Sequence, residues 1–493
     1  MRQRTLAGAI VCLALLPGAC TPAQPGASPE PPVTLTIAYP QALVLDANRH
    51  LTIPTGEFER LVSYDASGQL LPRVASNWSH SADGLTWRLT MRPDVRFRDG
   101  SPVPPAGVAE AILAAARSQA QRANTVCLAD IAGAAVDGER DVVIRLTRPC
   151  SYLLEELDIA VARTTDDGHQ MGTGPYSEVS RQPGEIRYNA HDGYYGGPPA
   201  IDRIIVRGYA TLREAWAEMM RGQLDVLMDV GPEGIDFFRD QTGVQTVSSV
   251  SLNAIAVGLN AARPVFASAE IRRALSLAVD RVELVDQALG GHGMPEDNPV
   301  WPAYWALDRT PAPIAFDPAA ARRILAGRHV SFTCLVNEDF ALWEKVALLV
   351  QRQMRAVGVD MRLEPVSSTA IFPRLLKGDF DAAIFDPLGG PYATIQHRFW
   401  HSPDPYPRNN IFGYRNVEVD AALDDMRASL DDATFKRALS RFVAAFRADP
   451  ATIFLVRPVR TQAVSRRFVI PPDAAGLDVI RTVPQWRLAR GGS

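Results

Sequence analysis

Of the 51 basic residues in the chain, 48 are arginine; Lys345, Lys377 and Lys436 are the only lysines. A guanidinium grips a carboxylate through two parallel hydrogen bonds, so this bias suits anionic ligands, although most of these arginines serve as ordinary surface charge. Imidazole is a natural ligand for nickel or copper, and His397 and His401, four residues apart, would share one side of a helix. No third ligand or acidic partner stands beside them in the sequence, so they are weak metal candidates and read as a helix-surface pair. Trp301, Tyr304, Trp305, Phe399 and Trp400 are aromatic candidates for a binding wall, with core packing the default for each. The chain lacks G-x-S-x-G, H-E-x-x-H, a P-loop, S-x-x-K with its partner motifs and any C-x-x-C or Cys/His cluster. No catalytic residue and no resident cofactor are therefore expected, and any metal would arrive inside a chelate that brings its own donors.

Five cysteines are present. Cys12 and Cys20 belong to the first 20 residues, where Arg2 and Arg4 precede an apolar run, Leu6–Leu16, and then Pro17-Gly18-Ala19-Cys20. A positive start, a short hydrophobic stretch and small residues at the cut read as a secretion signal, too short to span a bilayer about 30 Å thick. Residues 21–32, TPAQPGASPEPP, cannot bury a core and read as an extended tether. An exported chain sits where thiols oxidise, so Cys127 and Cys150 are a plausible pair. They flank an apparent hairpin, AAVDGERDVVIRL, and their bond would close a loop of about 23 residues and stabilise by roughly 3 kcal/mol. Two free buried thiols are the alternative. Cys334, in the apolar run SFTCLV, reads as a core residue.

These residues need a scaffold, and 493 residues with 47% hydrophobic and 22% charged composition supply more than one domain's worth of soluble core. The net charge of −4, or −6 without Arg2 and Arg4, argues against nucleic acid as a partner. TLTIAY (34–39) predicts an opening strand. Residues 78–100 alternate Leu85, Trp87, Leu89 and Met91 on one face, with turns at Asp83-Gly84 and Asp99-Gly100, an antiparallel pattern. Residues 105–120 predict a helix and VVIRL (142–146) a strand. From 331 onward the pattern runs strand, helix, strand, helix, strand through AAIF (382–385), which predicts a mostly parallel sheet covered by helices. Asp317-Pro318 and Asp432 are expected to open further helices, the latter with Phe435, Leu439, Phe442, Val443 and Phe446 on one face. The fold class expected is α/β (mixed α+β).

Six landmarks stand in order along the chain: DGLTWRLTMRPDVRFRDG (83–100), GTGPY (172–176), YYGGPPAIDRIIVR (194–207), GLNAARPVF with IRRALSLAVDR (258–266 and 271–281), FDPAAARRIL (316–325) and GDFDAAIF (378–385). Each is weak alone. Together they resemble the family 5 extracellular solute-binding proteins, the peptide/nickel group that feeds ABC importers. The resemblance implies a two-lobed fold like the type II periplasmic binding proteins, with an extra subdomain in the first lobe. Lobe I would hold 33–262 with 466–493, its inserted subdomain at about 50–165, and lobe II 263–465. The landmarks themselves read as turns and caps rather than ligand contacts. Cys20 after Gly18-Ala19 resembles a lipobox, in which that cysteine is acylated; Pro17 departs from the pattern at a position where an aliphatic residue is usual.

Several details are similar to the nickel-chelate binders. Gly389-Gly390-Pro391-Tyr392 resembles their Gly-Ala-Pro-Tyr, which places Tyr392 on the cavity wall. Arg163 and Arg122 fall near arginines that grip chelator carboxylates, and His50 near a pocket side chain and possible ligand. A peptide binder's aspartate position is glycine here, although Asp386 can supply a carboxylate from close by. Trp400 completes the expected ligand-binding set. The function implied is that of a monomeric, membrane-anchored receptor outside the cytoplasm. It would capture a metal chelate or a short peptide between its lobes and deliver it to ABC permease subunits. An exported receptor or enzyme on the same fold, working without an importer, is the competing reading.

Overall fold

The strand that organises the molecule is its last long one, Thr452–Ser465. Its sequence, TIFLVRPVRTQAVS, is buried along almost its whole length, as a central strand covered on both faces requires. In the computed structural model, which describes residues 31–40, 56–122, 125–166, 168, 170–308, 311–386, 392–402, 410–474 and 479–489, this strand lies at the middle of a twelve-stranded mixed sheet. Its second half pairs antiparallel with Val226–Leu227 and Val244–Val250. Its first half pairs antiparallel with Ile255–Leu259 and Gly293–Pro295. The partner changes between Val250 and Ile255, so two half-sheets share one strand. By its contacts the chain divides into Met1–Pro32 and Val33–Ser493.

One half-sheet carries Thr34–Pro40, parallel to Arg203–Tyr209, which in turn pairs antiparallel with Glu185–Ala190. The other carries Ser331–Asn337, parallel to both Asp360–Val366 and Ala382–Phe385, as the strand–helix alternation of the sequence predicts. Helices Pro318–Leu325 and Asp432–Ala448 occupy the expected segments. Asp317 caps the first through Ala320 N at 2.8 Å. The cap of the second is Asp431 rather than Asp432, accepting from Thr434 N at 2.9 Å; Asp432 already sits inside the first turn.

A separate four-stranded antiparallel sheet is built from Ala75–His80, Thr86–Met91, Ile131–Asp137 and Asp141–Leu146. Trp87, Leu89 and Met91 point inward from it, and helix Pro105–Arg117 packs behind with Val108, Ala109, Ile112 and Ala115. This layer shares one continuous core with helices Thr394–Trp400, Val417–Ala428 and Asp432–Ala448. Polar ties cross the same boundary. Arg427 pairs with buried Asp130, Ser151 N donates to Arg427 O at 2.8 Å, and Thr394 Oγ1 donates to Glu156 at 2.6 Å. Cys127 and Cys150, both fully buried, are joined by a disulfide at the base of this layer, and Cys334 is a buried free thiol. Replacing both Cys127 and Cys150 by alanine is expected to cost about 3 kcal/mol. Urea unfolding reads it; a loss under about 1 kcal/mol would show that the shared core alone holds the layer.

Candidate functional site

A cavity of about 320 Å³ opens where five distant segments meet. The first is the extended run through Glu59 and Arg60 with strand Val62–Tyr64. This run is held by close backbone approach to GTGPY. A Cβ added at Gly172 would stand 1.8 Å from Glu57 O, and one at Gly174 would stand 2.0 Å from Gly56 O. Only glycine fits either position, so the pentapeptide positions Glu59, and its Pro175 joins the lining. The second segment, Tyr194-Tyr195, folds over the same carboxylate. Both hydroxyls donate to Glu59 Oε1 at 2.9 Å, and Thr173 Oγ1 donates to its other oxygen at 3.3 Å. Burial nevertheless holds Glu59 above the usual carboxylate range.

Helix Leu153–Glu156 brings Glu155, and Asp158 follows it. Asp158 pairs with Arg60, and burial raises its pKa as well. Burial pushes Glu155 up to about 8, against a hydrogen bond from Thr394 N at 3.2 Å that favours the anion. Tyr392 comes from the segment before helix Thr394–Trp400 and meets Tyr64 edge-on at 4.7 Å. Arg481, from the C-terminal segment, lies 4.5 Å over the Tyr64 ring and donates to its hydroxyl at 2.5 Å. Arg73 completes the charged lining. Arg60, Arg73 and Arg481 line the cavity together with Glu59, Asp158 and Glu155, the last keeping its proton at neutral pH, beside Tyr64, Tyr194, Tyr195 and Tyr392. Such a wall is matched to a solute that carries both carboxylate and amino or imidazole groups.

Glu155 also makes a pH-dependent contribution. Folded, it keeps its proton up to about pH 8; unfolded, it loses it near 4.5. Its relative contribution is therefore most favourable below pH 4.5 and is lost as pH rises through 8. Glu155→Gln retains the acceptor for Thr394 and removes the ionisation. The variant is expected to match the parent at pH 4.5 and exceed it by about 2–4 kcal/mol at pH 9 in urea unfolding. A difference that does not change with pH would remove this assignment.

Of the residues singled out from sequence, Tyr392 lines the cavity. Arg163 does not. It lies exposed on strand Ala162–Thr164, paired with Asp99, donating to Ser101 Oγ at 3.0 Å and stacked 5.1 Å over Phe97. Arg122 ends the short helix Gln119–Arg122, exposed and away from the cavity. Asp386 is half-buried, accepts from Asn253 Nδ2 at 3.4 Å and is not part of the lining. Trp400 is 1% exposed and belongs to the core, 4.8 Å from Phe446, with Nε1 donating to Gln396 at 3.0 Å. Trp301 and Tyr304 line a second void of about 10 Å³ beside Tyr392, room for one water. His50 and Cys20 lie outside the described residues. Tyr194 and Tyr195, read from sequence as part of a turn landmark, are cavity residues; their doubled aromatic character before Gly196-Gly197 was the available signal.

The family of bacterial extracellular solute-binding proteins, family 5 (middle), matches residues 69–402. The chain belongs to this family. The probable D,D-dipeptide-binding periplasmic protein DdpA of Escherichia coli K12 is 25% identical over 423 residues, 79% of this chain and 80% of that protein. The nickel-binding periplasmic protein of the same organism is 24% identical over 515 residues, 94% of each chain. Among solved structures, NikZ from Campylobacter jejuni in complex with Ni(L-His) superposes with a TM-score of 0.79 at 20% identity, over 93% of this chain and all of that one. The substrate-binding protein CtaP of an ABC transporter from Listeria monocytogenes gives 0.79 at 18% identity, over 92% and 99%. This family 5 chain therefore has the two-lobed fold of the periplasmic binding proteins, and its relatives are binding proteins named for peptides and for nickel.

Proposed function

We propose that this chain is the extracytoplasmic receptor of an ABC importer. It captures a small solute without transforming it and hands it to the permease. The cavity carries this reading: about 320 Å³, lined by arginines, acidic side chains and tyrosines. Its volume is at the low end of the ~300–1,000 Å³ typical of small-molecule sites, which favours a metal chelate or a short peptide over a long one. Residues 33–262 with 466–493 would form one lobe and 263–465 the other, closing about the shared strand and shifting an open–closed equilibrium when ligand binds. Cys20, acylated after signal cleavage, would anchor the receptor through the 21–32 tether, with the protein acting as a monomer. Native mass spectrometry of the protein purified from its own host tests the reading. One co-purified, carboxylate-bearing solute, released intact on denaturation, is expected. Chemical conversion of that solute by the protein would overturn it.

A further inference from the structure

The stacked imidazoles of His397 and His401 lie outside the solute cavity, and the structure supplies what the sequence lacked beside them. Helix Val417–Ala428 packs against helix Thr394–Trp400 and brings Asp424 to the pair. One ligand atom from each of His397, His401 and Asp424 falls within 4.8 Å of the others. The two rings stack 4.6 Å apart and 15° from parallel, as side chains one helical turn apart can.

The hydrogen bonds around the group have the pattern of ligating histidines. His401 Nδ1 is 3.0 Å from Ser402 O, which makes that nitrogen the donor and leaves the Nε2 lone pair directed at Asp424 Oδ1, 3.4 Å away. A lone pair facing a carboxylate oxygen needs a cation between them, either a proton or a metal ion. His397, 2% exposed, bonds the backbone carbonyl of Leu423. The neighbouring charges are favourable. Asp420 accepts from Ser402 N at 2.8 Å, and the cation on the same helix face, Arg427, is neutralised by Asp130.

We propose that His397, His401 and Asp424 form a site for a borderline divalent metal ion such as Zn²⁺, with water in the fourth position, that clamps helix Thr394–Trp400 to helix Val417–Ala428. Imidazole and carboxylate donors select this class over Ca²⁺ or Mg²⁺. His401 Nε2 and Asp424 Oδ1 already stand 3.4 Å apart, a separation that two ligands of one ion can take, and Asp424 is exposed. The site is independent of the solute cavity and of what that cavity binds.

The test is calorimetric titration of the full chain, purified without a histidine tag and stripped with chelator, using Zn²⁺ at neutral pH. Co²⁺ serves as a spectroscopic probe. One equivalent of Zn²⁺ at micromolar affinity, a higher melting temperature and tetrahedral Co²⁺ ligand-field bands are expected. His401→Ala and Asp424→Asn should each weaken binding by about tenfold or more and abolish the bands. Arg163→Ala should leave both unchanged. Asp424 lies at the surface, so its variant separates ligand loss from misfolding. Absence of Zn²⁺ binding by the parent, or binding that survives both substitutions, would overturn the assignment.

Discussion

Arg481→Ala is expected to weaken capture of a carboxylate-bearing solute by roughly 2–4 kcal/mol, about 30- to 800-fold in dissociation constant. Of the three cavity arginines, Arg60 meets Asp158, whereas Arg481 meets the neutral ring and hydroxyl of Tyr64. Arg481 also lies within Coulombic reach of Asp158, but its hydrogen bond goes to a neutral hydroxyl, so its guanidinium can still meet an anionic ligand in a half-enclosed cavity where screening is weaker than at the surface. Arg163→Ala is the matched control. Its exposed partner, Asp99, is held near pKa 2 by bonds from Ser101 and Arg163 in a turn outside the cavity, so affinity should stay within about twofold. Calorimetry with the co-purified solute decides between them. Equal losses in both variants would remove Arg481 from the site.

The largest expected stability effect lies in the shared strand. Arg457, 2% exposed, pairs there with Glu296, 4% exposed, and donates to Leu252 O at 2.5 Å. Glu296 also accepts from Asp297 N and Asn298 N at 2.9 and 2.8 Å, so the carboxylate is built into the backbone that follows it. Arg457→Met is expected to cost about 3–5 kcal/mol, because it leaves that carboxylate buried without its cation. Adding Glu296→Gln should recover a substantial part of the loss, since the pair's desolvation then disappears with it. A double variant no more stable than Arg457→Met alone would place the cost in packing rather than in charge.

How much of this was readable from sequence depends on the range of the interaction. Local periodicity placed the strand–helix alternation after residue 331 and the apolar face of Asp432–Ala448, because each is set by neighbours a few residues away. The landmarks placed the family. The cavity did not follow, because Tyr64 and Arg481 are 417 residues apart and no spacing joins them. Glu59, Arg73 and Asp158 likewise carry no pattern of their own. By residue type Trp400 suits a binding wall, but its helix turns that side chain toward Phe446 and Phe454. His397 and His401 showed their helical spacing, yet the acid that completes the cluster sits on another helix, 23 positions beyond His401.

The shared strand also governs the order in which this chain can acquire its shape. The middle of the sheet is supplied by Thr452–Ser465, near the carboxyl end, while Val226–Leu227 bridges it to Thr34–Pro40, near the amino end. A polypeptide emerging amino-terminus first, whether from a ribosome or a membrane channel, has no partner for the edges on either side until some 450 residues are out. Such late, non-local closure is slow and leaves apolar edges waiting. It also keeps the chain threadable through a pore until almost all of it has passed.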